Sequence, residues 1–316
     1  MAKPIKTVST VVSRIDDLGN DTKRFTLIDQ DEWELPPFKP GAHIDVHLKP
    51  GLVRTYSLCN EPDDNVRYVI AVKRERDGRG GSNFLHNCVR VGDPIGVSIP
   101  RGGIALNADG MNLFVAGGIG VTPFISAIRH LDRQGRTNYR LHWASRGTPT
   151  LLDMIEPAIK AERVRIYDTT RLAKPVCADI VQEFAESGFA ACCGPLPMLE
   201  SFESAVAAWP EARKHIEFFT PPKRIVSSDV PPYELVLAAS NKRAIVDPGV
   251  GLLGTLEAMG VEVPVSCGGG ICGACRTRWV EGPPIHRDRV LSAAERQSEL
   301  IVCVGDCAGP RLVLDL

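Results

Sequence analysis

Residues Ser266 to Arg276 read S-C-G-G-G-I-C-G-A-C-R, which sets Cys267, Cys272 and Cys275 in a C-x4-C-x2-C loop, with Cys303 28 positions further on. This is the plant-type ligand spacing for a [2Fe-2S] cluster. Two irons need four thiolates, and one loop can offer three of them only if its backbone curls round the metal. Gly268, Gly269, Gly270 and Gly273 permit that by tolerating positive φ, and they let amide N-H groups approach sulfur. Four cysteines can also hold a structural zinc. Zinc ribbons, however, pair two short C-x2-C hooks, whereas here three cysteines share one glycine-rich loop. Cys307, four residues after Cys303, is the rival for the fourth position; the spacing favours Cys303.

Working outward, Tyr233-Glu-Leu-Val-Leu, Ala244-Ile-Val-Asp, a helical run from Leu252 to Met259 and Leu312-Val-Leu-Asp-Leu316 surround the loop. Together they resemble the β-grasp fold of plant-type ferredoxins. Upstream, Thr220 to Pro232 is rich in proline and has no apolar period, as expected of an interdomain linker.

The whole chain has 316 residues, 44 % of them hydrophobic, a net charge of -1 and ten cysteines. That length suits two or three domains with their own cores, and the charge offers no polycation for nucleic acid. No apolar run is long enough to span a bilayer, and the N-terminus lacks a signal-peptide pattern. The expected compartment is the cytoplasm, which keeps thiols reduced and so suits thiolate ligands. It leaves Cys59, Cys88, Cys177 and Cys192 to be read as small buried hydrophobes.

The first third alternates apolar and polar residues between Pro and Gly turns, in Thr7-Val-Ser-Thr-Val-Val, Arg24-Phe-Thr-Leu-Ile, His43-Ile-Asp-Val-His-Leu, Tyr68-Val-Ile-Ala-Val-Lys and Ile95-Gly-Val-Ser-Ile. An antiparallel β-barrel or sandwich follows. Within it stands Arg54-Thr-Tyr-Ser-Leu58, and Gly78-Arg-Gly-Gly-Ser82 opens a short helical run from Asn83 to Cys88, where backbone amides can take a phosphate. From Met111 strands alternate with helices at Pro123 to Arg133, Leu151 to Lys160, Val176 to Glu186 and Met198 to Ala208, the grammar of a parallel α/β sheet. Gly117-Gly-Ile-Gly-Val-Thr-Pro123 joins its first strand to its first helix, with Thr122 as N-cap and Pro123 at the first helical position. It departs from the strict G-x-G-x-x-G fingerprint, but the turn Cys193-Gly194-Pro195 adds a second loop at a strand's carboxyl end.

R-T-Y-S-L-C-N, Y-V-I-A-V-K-R and G-R-G-G-S are similar, nearly letter for letter, to the phthalate dioxygenase reductase family of ferredoxin-reductase-like flavoproteins, and the resemblance spans essentially the whole chain. It implies an FMN-binding β-barrel (1–108), an NAD-binding α/β domain (109–221), a linker (222–232) and a [2Fe-2S] ferredoxin domain (233–316). By matching position, Arg54, Thr55 and the Gly80-Gly81-Ser82 turn would bind FMN with Tyr56 and Ser57, alongside the backbone of Ala71, Val72 and Lys73. Thr122 and Phe219 would complete that site. Gly117, Gly118, Gly120, Pro123, Cys193, Gly194 and Pro195 would take NADH, with Ser145, Arg146 and Asp168 near the adenosine ribose. An acid there suits NADH and repels a 2'-phosphate, although Arg171 lies close by. Cys267, Cys272, Cys275 and Cys303 would hold the cluster.

The family usually has an acidic residue after the first cysteine and Ser-Arg shortly after the last, where Gly268 and Gly305-Asp306 stand here. From Lys223 to Leu316 ten Lys/Arg balance eleven Asp/Glu, so broad steering to a basic partner is not expected. NADH gives two electrons together and a [2Fe-2S] centre takes one, so a flavin is needed between them. The resemblance implies the monomeric reductase component of a Rieske-type oxygenase system in aromatic catabolism, in which Ser57, Thr122 and Cys193 act as positioning residues. The rivals are a self-contained NADH-dependent flavin reductase and a non-catalytic iron-sulfur sensor.

Overall fold

The computed structural model describes residues 7–172, 174–184, 188–219 and 230–316. The chain forms two compact units, Met1–Phe219 and Thr220–Leu316. The first unit opens with β1 (Thr7–Asp17), β2 (Thr22–Asp29), β3 (Ala42–Lys49), β4 (Leu52–Ser57), β5 (Tyr68–Lys73), α1 (Gly81–Asn87), β6 (Pro94–Ser98) and β7 (Arg101–Gly102). These strands form one antiparallel sheet in the order β4-β3-β6-β1-β2-β5, with β7 on β3. A Leu58↔Ile70 bridge joins the ends of that path, so the sheet curls into a near-closed barrel. Alternation drives it: Val12, Phe25, Leu27, Ile44, Val46 and Ile70 are at most 1 % exposed and fill one face of the curled sheet, while Val69 and Ala71 on the other face of β5 are buried as well.

The second half of this unit comprises β8 (Asn112–Gly117), α2 (Thr122–Arg133), β9 (Tyr139–Ser145), α3 (Glu156–Lys160), β10 (Val164–Asp168), α4 (Cys177–Gln182), β11 (Phe189–Cys193), α5 (Leu196–Ala205) and β12 (Lys214–Glu217). The strands are all parallel, in the order β10-β9-β8-β11-β12. Central β8 and β11 are buried along their whole length, as strands covered on both faces must be. The order runs outward in both directions from β8, so the crevice between the loops after β8 and β11 is the topological switch point where such sheets bind ligands. One hydrophobic core runs through both halves: Cys59, Val69, Ala71 and Ile104 of the barrel side share a cluster with Phe114, Val121, Phe124 and Trp143.

The second unit contains β13 (Tyr233–Leu237), β14 (Lys242–Val246), α6 (Gly251–Ala258), β15 (Arg276–Glu281), β16 (Pro284–Ile285), β17 (Glu299–Ile301), β18 (Asp306–Cys307) and β19 (Arg311–Leu314). Its main sheet has the order β14-β13-β19-β15-β17, and β16 pairs with β18. Strand β13 runs parallel to central β19 and antiparallel to β14, with Leu252 and Leu256 of α6 packed into the same core.

Several expected boundaries differ. The run Leu151 to Lys160 divides into a 3-10 turn, Leu152–Ile155, and α3, because Pro157 has no N-H with which to continue the preceding turn. Helix α4 stops at Gln182, short of Glu186, although 185–187 lie outside the described residues. Helix α5 starts at Leu196, two residues early, and α1 starts at Gly81. Thr122 is not an N-cap: a 3-10 turn, Gly118–Val121, runs straight into α2, and the Thr122 hydroxyl donates to the Ile119 carbonyl at 3.0 Å. Of the linker, 220–229 fall outside the described residues, whereas Val230 packs into the second core. Cys88 is exposed rather than buried, since α1 turns Leu85 and His86 inward and leaves its C-terminal end to solvent.

Candidate functional site

Three places collect the chemistry. The first lies at the barrel's Arg54. Its guanidinium donates to two backbone carbonyls, Val53 at 2.7 Å and Arg79, rather than to a carboxylate. A Cβ placed on Gly81 would stand 2.3 Å from Arg54 Cγ, so only glycine lets the turn before α1 close on this side chain. Burial, with Arg79 nearby, holds Arg54 below its usual value. A cation kept beside another cation against a glycine turn fits an anion such as a phosphate. Ser82 and Thr55 are engaged locally: the Glu75 amide donates to Ser82 Oγ at 3.0 Å, and Thr55 Oγ1 donates to Asp45 at 2.7 Å. Tyr56 is half-buried, and its desolvation raises its hydroxyl pKa. Ala71 and Val72 are buried and Lys73 is exposed on β5.

The second place is the switch point. A Cβ on Gly120 would lie 2.3 Å from the Cys193 carbonyl oxygen, and one on Gly117 would lie 2.5 Å from Pro195 Cδ. The loops after β8 and β11 therefore meet backbone to backbone, and the Trp143 indole donates to the Gly118 carbonyl at 2.9 Å, fixing the first of them. Cys193 is fully buried, and burial beside Glu217 pushes its thiol well up. Glu217 ends β12. Its Oε1 accepts from the Ser57 hydroxyl at 3.2 Å, which brings the end of barrel strand β4 to the end of the parallel sheet. Oε2 is sealed from solvent without a hydrogen bond among the described residues. Burial pushes this carboxyl up to about 7, against the lowering pull of Ser57. Phe218 is buried and Phe219 is 37 % exposed.

At the far side of the sheet, Asp168 Oδ1 accepts from the Thr170 hydroxyl at 2.7 Å, the Gly147 amide at 2.9 Å and the Thr170 amide at 3.0 Å. These bonds, Thr170 foremost, hold it below the usual carboxylate range, with Arg171 3.6 Å from Oδ2. Ser145 accepts Thr169 on its carbonyl, and Arg146 is exposed.

The third place is the cysteine loop. Cys267 Sγ lies within hydrogen-bonding reach of the thiols of Cys272 and Cys303, and Cys303 within reach of Cys275. The four sulfurs thus gather in one run of contacts, Cys272 to Cys267 to Cys303 to Cys275. Gly268, Gly270 and Gly273 have positive φ, and Gly269 does not; instead its amide donates to Cys267 Sγ at 3.3 Å. Sharing of protons among these thiols holds Cys267 far below the ordinary thiol range and Cys303 far above it. Cys307 bonds elsewhere, its Sγ 3.2 Å from the Arg311 carbonyl and 3.4 Å from the Gly309 amide.

Comparison with known proteins fits this division. Residues 237–304 match the family described as 2Fe-2S iron-sulfur cluster binding domain. Phthalate dioxygenase reductase from Burkholderia cepacia is 33 % identical over 310 residues, covering 95 % of this chain and 94 % of its own. The chain belongs to the phthalate dioxygenase reductase family. Phenoxybenzoate dioxygenase subunit beta of Ectopseudomonas oleovorans is 39 % identical over 290 residues, 89 % of each chain. The solved structure of a phthalate dioxygenase reductase, described as modular and transferring electrons from pyridine nucleotides to [2Fe-2S], is matched with a TM-score of 0.70 at 30 % identity over 98 % of both chains. The reductase is thus an oxidoreductase with a flavin-type barrel, a parallel nucleotide domain and a ferredoxin domain. No helix among the described residues is long and apolar enough to cross a membrane.

Glu217 is the site residue that sequence reasoning passed over. In E-F-F it reads as an ordinary strand end. The signal that could have found it was a carboxylate closing a parallel strand in register with Cys193, its partner across β11 and β12.

Proposed function

We propose that this chain is the reductase component of a two-component oxygenase system, passing electrons from NADH through FMN to a [2Fe-2S] cluster and on to a Rieske-type oxygenase. The observation that carries the reading is the meeting of Ser57, Glu217 and Cys193, which joins the barrel to the switch-point loops within one unit. FMN, when bound, takes two electrons together and gives them up singly.

The barrel, residues 1–108, holds FMN, with Arg54 and the Gly80-Gly81-Ser82 turn on its phosphate and Tyr56 and Ser57 beside its ring. Thr55, Ala71, Val72, Lys73, Thr122 and Phe219 line the remainder. Residues 109–221 hold NADH on Gly117, Gly118, Gly120, Pro123, Cys193, Gly194 and Pro195, with Ser145, Arg146 and Asp168 at the ribose. The locked carboxylate of Asp168 favours a free 2'-hydroxyl. Ser57 and Cys193 would orient the rings of the two cofactors, and the Glu217 carboxyl, whose Oε1 accepts from Ser57, would hold or release a proton near neutral pH. Residues 222–232 link to the ferredoxin domain, 233–316, in which Cys267, Cys272, Cys275 and Cys303 ligate iron. Their gathering within reach of one another would suit a cluster that needs four thiolates, while the local bonds of Cys307 leave it a bystander. The protein works as a monomer in the cytoplasm.

Purified protein tests this directly. One FMN, two irons and two acid-labile sulfides per chain are expected, with slow NADH oxidation alone, fast reduction of cytochrome c, and substrate turnover only when an oxygenase is added. FAD in the extract, zinc in place of iron, or coupled conversion of an aromatic substrate by the chain alone would each defeat the reading.

A further inference from the structure

Behind the Cys267–Cys275 loop lies a carboxylate that ligation leaves unused. The Asp288 side chain is 1 % exposed. Its segment packs on the loop itself: the Arg289 amide donates to the Gly270 carbonyl at 3.0 Å, and a Cβ on Gly270 would stand 3.2 Å from Asp288 Cα. Oδ2 accepts from the amides of Leu291 at 2.8 Å and Val290 at 3.2 Å. Oδ1 makes no hydrogen bond among the described residues, and His286 Nδ1, equally unbonded, stands 3.6 Å from it. Arg296 donates to the Asp288 carbonyl at 2.8 Å but reaches Oδ2 only at 3.6 Å. By contrast the second acid of this region, Asp306, is closely paired with Arg287 at 2.8 Å.

A buried, loosely paired negative charge is costly to keep in a fold. In a segment packed on the loop that carries Cys267, Cys272 and Cys275 it has a definite consequence, because adding an electron near it is disfavoured in a low-dielectric surrounding. Net charge and hydrogen bonding are the levers that set the potential of iron-sulfur centres. We propose that Asp288 sets the reduction potential of the cluster, holding it low, with Arg296 as its partial counter-charge. This rests on the ligand assignment above. It gives the electron leaving the ferredoxin domain a greater driving force toward its acceptor, and the device is specific to the segment behind the loop rather than to the ligands.

Spectroelectrochemical titration of the full holoprotein, read by visible absorbance and the spin-resonance signal of the reduced cluster, tests it. Asp288→Asn is expected to shift the one-electron equilibrium about tenfold toward the reduced form, a rise of ~59 mV. Asp288→Glu, which keeps the charge, should stay near the parent value. Glu257→Gln, which removes an exposed charge on α6, should leave the potential in place. Arg296→Gln should lower it. An unmoved potential in Asp288→Asn, or an equal rise in Glu257→Gln, overturns the proposal. Should Asp288→Asn fail to hold the cluster, Arg296→Gln decides: a fall supports the proposal and no change or a rise overturns it. A parent protein lacking the [2Fe-2S] spectrum would instead defeat the ligand assignment beneath it.

Discussion

Glu217→Gln removes a charge while keeping the shape of a side chain that closes β12 against Ser57 and Cys193. Burial pushes this carboxyl up to about 7 from an ordinary 4.5. At 1.36 kcal/mol per unit, the ionised form costs the fold ~3 kcal/mol above neutrality, and about 2 kcal/mol once the partly exposed remainder of the residue is discounted for screening. The sign follows from proton counts. A raised carboxyl binds more protons folded than unfolded, so its burden grows as pH climbs from about 4.5 to about 7 and is absent below that window.

The variant should therefore melt roughly 4–8 °C above the parent at pH 8 and within ~2 °C of it at pH 5. Thermal release of flavin, which reports the first unit, is the assay. Ser57 keeps an acceptor in the Gln carbonyl, so the hydrogen bond survives. The gain in stability should come with a loss in function: NADH-dependent bleaching of the flavin slows, and its pH profile loses the inflection near 7. Such an exchange is common where a strained group serves activity. An equal offset at both pH values, or a lower melting point at pH 8, would refute the reasoning.

Three other outcomes are expected. Cys272→Ser should abolish electron transfer to cytochrome c while NADH still bleaches the flavin, and Cys307→Ser should do little; loss of the cluster in Cys307→Ser with its retention in Cys303→Ser would reverse the assignment. Gly120→Ala should cut NADH-dependent flavin reduction about a hundredfold or more, since its Cβ would stand 2.3 Å from the Cys193 oxygen and a misplacement of that kind is costly to hydride geometry; stopped-flow kinetics at saturating NADH with unchanged circular dichroism would show it. Asp168→Ala should narrow the preference for NADH over NADPH, compared as kcat/KM; parity already in the parent would mean that Arg146 or Arg171 governs the ribose site.

Much of the architecture follows from the sequence because its patterns are local. Period-two alternation gives the barrel strands, the continuous apolar runs Leu113-Phe-Val-Ala and Ala190-Ala-Cys-Cys give buried parallel strands, and the spacing of Cys267, Cys272 and Cys275 singles out the cysteine loop within the part of the chain that matches an iron-sulfur domain. Helix ends were less legible. Thr122 has the composition of an N-cap, yet the 3-10 turn before it satisfies the same amides by tightening the chain, a choice made by packing against Cys193 and Trp143. Cys88 looks like any buried thiol until the orientation of α1 is known.

What the sequence alone determined is the set of chemical parts and their order along the chain, because each is written in spacing over a few residues. What only the tertiary structure decided is which distant groups share an environment. Ser57 and Glu217 are 160 positions apart and 3.2 Å apart in space. Asp288 is a plain acid in a polar stretch until Gly270 is found against its backbone. Charge and proton affinity depend on burial and on neighbours within a few ångströms, and no reading along one dimension supplies those neighbours.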